Sequence, residues 1–279
     1  MQLKKMALGK FQRWIEGACA MELEKEPMHV VRRRALAEVH RRLKDAQGRK
    51  EEGTGATEAL VLCKELGLVV KSVDETTEGG EPPLVAAGSG GNVWALELLL
   101  AAGCAVGSSS KDSSTALHAA SVLGHMGSVV CLVEAKADVH ARTGAGNTCL
   151  TLAAGAGQSK VVKYLAEKGG LKLVLAVDSE GRSCAYMASA KGHLEALRML
   201  IDAGGKQLLM LTDCNSTSCA WMASQNGHAE AMRMLIDAGG KDLLMLARNN
   251  GWSCADIASQ NGHTEALRML VEAGVEASE

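Results

Sequence analysis

One eleven-residue phrase returns in phase along this chain: TALHAASVLGH at Thr115, TCLTLAAGAGQ at Thr148, SCAYMASAKGH at Ser183, SCAWMASQNGH at Ser218 and SCADIASQNGH at Ser253. The starts lie 33, 35, 35 and 35 residues apart, and a weaker copy, PPLVAAGSGGN, begins at Pro82, 33 residues before Thr115. Six units therefore run over residues 82–279. A unit of this size cannot bury its apolar face alone, so the period itself demands a stack in which each unit covers its neighbour.

Each unit reads as a helix pair. Ser183 can cap the first helix, Ala185, Ala188 and Ser189 fall on one face, and Gly192 closes it before Leu194. The second helix is expected to bury Leu197, Leu200 and Ile201 and to end at Gly204 as a left-handed cap, as at Gly103, Gly169, Gly239 and Gly274. Lys136 occupies that position in the second unit and is the exception. A small residue recurs at Ala87, Ala120, Ala153, Ala188, Ala223 and Ala258, as close approach of neighbouring pairs requires. The chain is 47% hydrophobic with only one Phe and two Tyr, so small and aliphatic side chains must do the packing.

These units resemble ankyrin repeats, whose helix start Thr-Pro-Leu-His is matched best by Thr115, Ala116, Leu117 and His118. The resemblance covers about 70% of the chain and includes Gly-His at 124/125, 192/193, 227/228 and 262/263. It implies an all-α helix-turn-helix solenoid with finger loops, binding proteins in a concave groove lined by the fingers and the ends of the first helices. Three departures stand out. Cys149, Cys184, Cys219 and Cys254 replace the family's usual Pro, Ala185, Ala220 and Ala255 its Leu, and Tyr186, Trp221 and Asp256 its His. The last three junctions are also two residues longer and more apolar, which predicts longer fingers or a small extra helical turn.

Upstream of the repeats, residues 1–53 carry 13 Lys and Arg against 8 acids, net +5, whereas residues 54–279 are net −7. The first segment reads as a basic helical extension, with Phe11, Trp14, Ile15 and Cys19 on one face and an Arg-rich stretch from Arg32 to Arg42. Two readings stand for residues 1–45: a helix whose apolar face covers the start of the solenoid, or a site for a calmodulin-like or centrin-like partner or an anionic surface. Residues 54–81 read as a half-repeat or N-terminal cap, with a helix from Ala56 to Leu66 resembling the second helix of a degenerate repeat at 56–70, and then a polar linker. At the other end Leu267, Leu270 and Val271 carry no polar substitution, so no dedicated cap is expected there. That permits a regulatory fragment of a larger multidomain protein.

Catalysis needs groups gathered from distant segments, while a solenoid spreads equivalent residues one unit apart. An ankyrin-like scaffold is accordingly expected to be no enzyme and to hold no cofactor or metal. The alternative is a thiol or redox enzyme using the Cys ladder, but units stacked roughly 8–10 Å apart exceed the reach of a disulfide. The Gly-His ladder is expected to be structural, and Met199, Met234 and Met269, with Met210 and Met245, to be adaptable packing. An acidic repeat segment argues against nucleic acid, GTGAT at 53–57 is no phosphate loop, and no apolar run approaches a membrane span. Nine Cys, an odd number without metal-ligand spacing, fit the reducing cytoplasm or nucleus.

Two units are near duplicates: 184–218 and 219–253 agree at 24 of 35 positions. Five of the differences lie in the finger, where Thr212, Asp213, Cys214, Ser216 and Thr217 become Ala247, Arg248, Asn249, Gly251 and Trp252. Two more, Ala190 and Lys191 against Gln225 and Asn226, end the first helix, while the outer face of the second helix changes only at Leu194 and Leu197. Change falls where the resemblance places partner recognition. The expected binding residues are Glu180, Arg182, Lys191, Asn215, Gln225, Asn226, Asn249, Asn250, Trp252, Gln260 and Asn261, for an unidentified protein partner, with Trp252 as the best anchor.

Overall fold

Every repeated phrase becomes a short helix whose first residue stands outside it in extended conformation. The hydroxyls of Thr148, Ser183, Ser218 and Ser253 accept the N–H three residues on, and Thr115 and Ser253 form capping boxes with His118 and Asp256. The computed structural model describes residues 82–101 and 104–275. The basic extension at 1–53, the half-repeat and linker at 54–81 and the cap at Gly103 lie outside the described residues.

Twelve helices are described, in six pairs. They are α1 (Pro83–Ser89) with α2 (Val93–Ala101), α3 (Ala116–Leu123) with α4 (Met126–Glu134), α5 (Cys149–Gly155) with α6 (Ser159–Val174), α7 (Cys184–Lys191) with α8 (Leu194–Leu209), α9 (Cys219–Gln225) with α10 (Ala229–Leu244), and α11 (Cys254–Gln260) with α12 (Thr264–Glu272). First helices pack on first helices and second on second, which makes an all-α solenoid. One core runs its length. Ala120, Ala153, Ala188, Ala223 and Ala258 are fully buried between layers, whereas Ala87, in the first described unit, is half-buried.

The extra helical turn is present in the longer junctions, and it moves the cap. Gly170, Gly205 and Gly240, with φ of 62°, 53° and 66°, break α6, α8 and α10 into a long and a short helix. The left-handed residue is therefore the second glycine of each pair, not Gly169, Gly204 or Gly239. The first glycine serves close approach: a Cβ at Gly204 would lie 2.7 Å from Leu208 Cβ, because the short helix folds its leucines back onto that spot. Leu173, Leu208 and Leu243 thereby join the core. Gly274 is left-handed as expected, and Lys136 adopts φ 68° although it has a side chain.

Burial also sorts the apolar positions of the second helices. Of the three apolar positions of α12, Leu270 is fully buried, Leu267 is half-buried and Val271 is exposed. Leu197 is in the core as expected, with its counterpart Met232, so of the two changes counted for the outer face of the second helix only Leu194 lies there.

Neighbouring units are also latched by hydrogen bonds. The Nε2–H groups of His125, His193, His228 and His263 donate to the carbonyls of Ser89, Gly155, Ala190 and Gln225, one unit back, at 2.9–3.3 Å. Gln158 makes the equivalent bond to Val122. The glycine before each latch is left-handed, with φ of 68–74° at Gly124, Gly157, Gly192, Gly227 and Gly262, and at Gly192 the ring of His228 from the next unit fills the space a Cβ would occupy.

Candidate functional site

The fingers are five-residue turns of one design. In each, the N–H of the first residue donates to the carbonyl of the fifth: Ser110 to Ser114, Thr143 to Asn147, Asp178 to Arg182, Asp213 to Thr217 and Arg248 to Trp252. Successive fingers are joined by backbone bonds, with Gly144 N–H on Asp112, Ser179 on Ala145, Cys214 on Glu180 and Asn249 on Asn215. This continuous ladder gives side chains at equivalent positions a regular spacing.

What closes each turn differs. Asp178 accepts the N–H groups of Glu180 and Arg182 and pairs with the Arg182 guanidinium at 2.7 Å. Asp213 accepts the N–H groups of Asn215 and Thr217 at 2.8 Å and the Tyr186 hydroxyl at 3.4 Å. Burial, and then the Asp213 carboxylate, push Tyr186 up to about 12, so it stays a neutral donor. Arg248 takes the equivalent place in the last finger, with its guanidinium 4.7 Å above the ring of buried Trp221. There Asn250 Oδ1 accepts the Trp252 N–H instead.

The residues expected to bind a partner fall in two rows. Glu180, Arg182, Asn215, Asn249, Asn250 and Trp252 lie on the fingers; Lys191, Gln225, Asn226, Gln260 and Asn261 lie at the ends of α7, α9 and α11. Several already have internal partners. Asn226 and Asn261 donate their amides to the carbonyls of Ala190 and Gln225, Asn249 Oδ1 accepts from Ser216 Oγ at 2.6 Å, and Arg182 holds Asp178 and Glu180. Lys191, Asn215, Gln260 and the indole of Trp252 keep exposed ends.

A trough joins the two rows at the other end of the stack. A hollow of about 510 Å³ is floored by Val85, Ala119, Val122, Leu123 and Leu152 and rimmed by Ser110, Lys111, Asp112, Ser114 and His118. Leu123 is 51% exposed there. Sequence reasoning passed over this site, although the signal was legible: Leu123 stands where later units carry Lys191, Asn226 and Asn261. His118 accepts from Thr115 through Nδ1 and donates to the Ala141 carbonyl through Nε2, and burial lowers its pKa and keeps it neutral.

The cysteine ladder is packed away. Cys149, Cys184, Cys219 and Cys254 are at most 1% exposed, and burial pushes each thiol up to about 12. The first three donate S–H to the carbonyls of Val139, Val174 and Leu209. A thiol in that setting resists forming the thiolate that nucleophilic or redox chemistry needs. Among the described residues no group of three His, Cys, Asp or Glu is placed to hold a metal ion, and no helix is long and apolar enough to cross a membrane.

No curated protein matches the chain. The family model for ankyrin repeats, described as three copies, matches it twice, over residues 127–209 and 204–279. With the period, the capped helix pairs, the fingers and the histidine latches, that match shows that the chain belongs to the ankyrin-repeat family.

Proposed function

We propose that this chain is a non-catalytic scaffold that binds a segment of a partner protein along the trough between its fingers and the exposed ends of its first helices. Ankyrin repeats are generally protein-interaction modules. The observation that carries the finer reading is the trough's make-up: an apolar floor at Leu123 and Leu152, polar rims, and an exposed indole at Trp252 on the same row of fingers. Interfaces draw their affinity from such apolar anchors ringed by polar groups. The reducing cytoplasm or nucleus is the compartment that suits an odd number of cysteines without metal-ligand spacing.

The test is affinity capture with the full chain, beside one carrying Leu123→Glu and Trp252→Ala. A partner retained by the first and lost by the second, with unchanged helical content, supports the trough. For an identified partner, Trp252→Ala alone should weaken binding by about 2 kcal/mol or more. A partner held equally by both chains would place binding elsewhere.

A further inference from the structure

We propose that Arg248 is a preformed receptor for one carboxylate of the bound partner, so that the segment lying in the trough carries an Asp or Glu opposite the last finger. The inference rests on the trough reading and names one element of the partner's chemistry.

Arg248 stands where the two preceding fingers carry Asp178 and Asp213, and its own turn does not need its side chain. A guanidinium cannot accept the N–H groups those aspartates bind, and Asn250 takes the Trp252 N–H in their stead. The guanidinium instead lies over Trp221, its carbon 4.7 Å from the ring centroid, on an indole that is only 4% exposed. Contact with the ring restrains the group on one side, while the N–H donors of a guanidinium lie around its edge. Among the described residues no carboxylate oxygen lies within 4.0 Å of it. The aspartate of the preceding finger, Asp213, already accepts two turn N–H groups and the Tyr186 hydroxyl.

Trp252 completes the arrangement. It lies across the turn from Arg248 through the bond from Arg248 N–H to the Trp252 carbonyl, the spacing at which Asp178 and Arg182 pair side chain to side chain. At 36% exposure its indole offers apolar surface on the same finger. An oriented, partly desolvated arginine next to an aromatic ring suits a two-point charge-assisted bond to a carboxylate. Residues 82–279 carry 15 Lys and Arg against 18 acids, close to balance, so this positive point sets the register of the partner rather than supplying bulk attraction.

Peptides selected from a random displayed library on the full chain provide the test, each titrated by calorimetry against the original chain and its Arg248→Gln and Trp252→Ala forms. Among peptides weakened by Trp252→Ala, we expect an Asp or Glu whose change to Asn or Gln lowers affinity about tenfold or more. That difference should vanish in the Arg248→Gln chain and return in part in Arg248→Lys, which keeps the charge but not the flat fork. The comparison of acidic and amide peptides needs only the original chain, so poor folding of a variant does not obscure it. Trp252-dependent peptides indifferent to the acid, or an acid dependence that survives Arg248→Gln, would overturn the assignment and leave the trough standing. Peptides untouched by Leu123→Glu, Lys191→Glu and Trp252→Ala alike would sink the trough reading and this one with it.

Discussion

Units 184–218 and 219–253 are close to an internal control: the same elements, a core shared except at Leu197/Met232 and Tyr186/Trp221, and eleven differing side chains in all. As sequence, the differences look like freedom at exposed sites. In the structure several are pairs. Tyr186 becomes Trp221 as Asp213 becomes Arg248, so a hydroxyl-to-carboxylate bond is exchanged for a guanidinium stacked on an indole. Leu197 becomes Met232 at a site fully buried in both, a nearly volume-conserving swap. Gln207 becomes Asp242, and the new carboxylate meets Lys206 of the previous unit at 2.6 Å. Cys214 becomes Asn249, which takes a hydrogen bond from Ser216. The changes left without an internal partner are few, and they include Lys191, Gln225 and Trp252. These carry the recognition argument; the others record how a duplicated unit keeps its contacts while its surface changes.

The largest effect that would break this comparison concerns the thiols. Cys214 is exposed on its finger, whereas Cys219, five residues on, is buried and raised to about 12. At pH 8 a thiol of that kind holds about one thiolate in ten thousand. With a soluble disulfide reagent and mass-spectrometric site assignment, Cys214 should react orders of magnitude faster than Cys149, Cys184, Cys219 or Cys254, which should await unfolding. Equal rates at Cys214 and Cys219 would show the ladder to be open, and would revive thiol chemistry.

Next in size is the shared core. Leu200 and Leu235 are equivalent and fully buried. Each changed to Ala should cost about 2–5 kcal/mol in urea unfolding, and the two losses should agree within about 0.5 kcal/mol. A clear inequality would mean that the flanking units differ in how well they collapse around a cavity, and the two cores would no longer count as one.

A smaller effect tests the exchanged pair. Trp221→Tyr and Arg248→Asp should each destabilise the chain, while the double change rebuilds the Tyr186–Asp213 arrangement one unit further on. We expect a coupling of about 1 kcal/mol, read from thermal or urea unfolding of the four proteins. Simple additivity would show the substitutions to be independent drift.

Much of this architecture is legible in the sequence, because the signals are local. The hydroxyl before each first helix, the glycine before each latch and the apolar GGKQLLML junction announce cap, turn and extra helical turn within a few residues. What is not legible depends on partners one unit away. Which glycine of a Gly-Gly pair turns left-handed is decided by Leu208 folding back on Gly204. That Asn226 and Asn261 spend their amides on the preceding unit is decided by carbonyls 36 residues upstream. The hollow at Leu123 escapes a reading centred on the near-duplicate units, since it lies in the earlier, more divergent repeats.

The smallest effect separates fingers organised by a carboxylate from those organised by an amide. Asp112 Oδ1 accepts the Ser114 N–H at 3.2 Å, and Asn250 Oδ1 accepts the Trp252 N–H at the same distance, so equivalent positions make one bond with and without charge. The hydroxyls of Ser110 and Ser114 hold Asp112 down at about 2 from the ordinary 3.8. A depressed carboxylate stabilises the fold above its unfolded pKa, so this contribution should be complete above pH 4 and fade as pH falls from about 4 to 2. Asp112 is exposed, and screening by solvent limits the effect to about 0.5 kcal/mol or less. Asp112→Asn, which copies Asn250, should keep the turn and remove that share of the acid slope in urea titrations between pH 2 and 5. An unchanged slope would show that the first finger, like the last, is held by geometry alone.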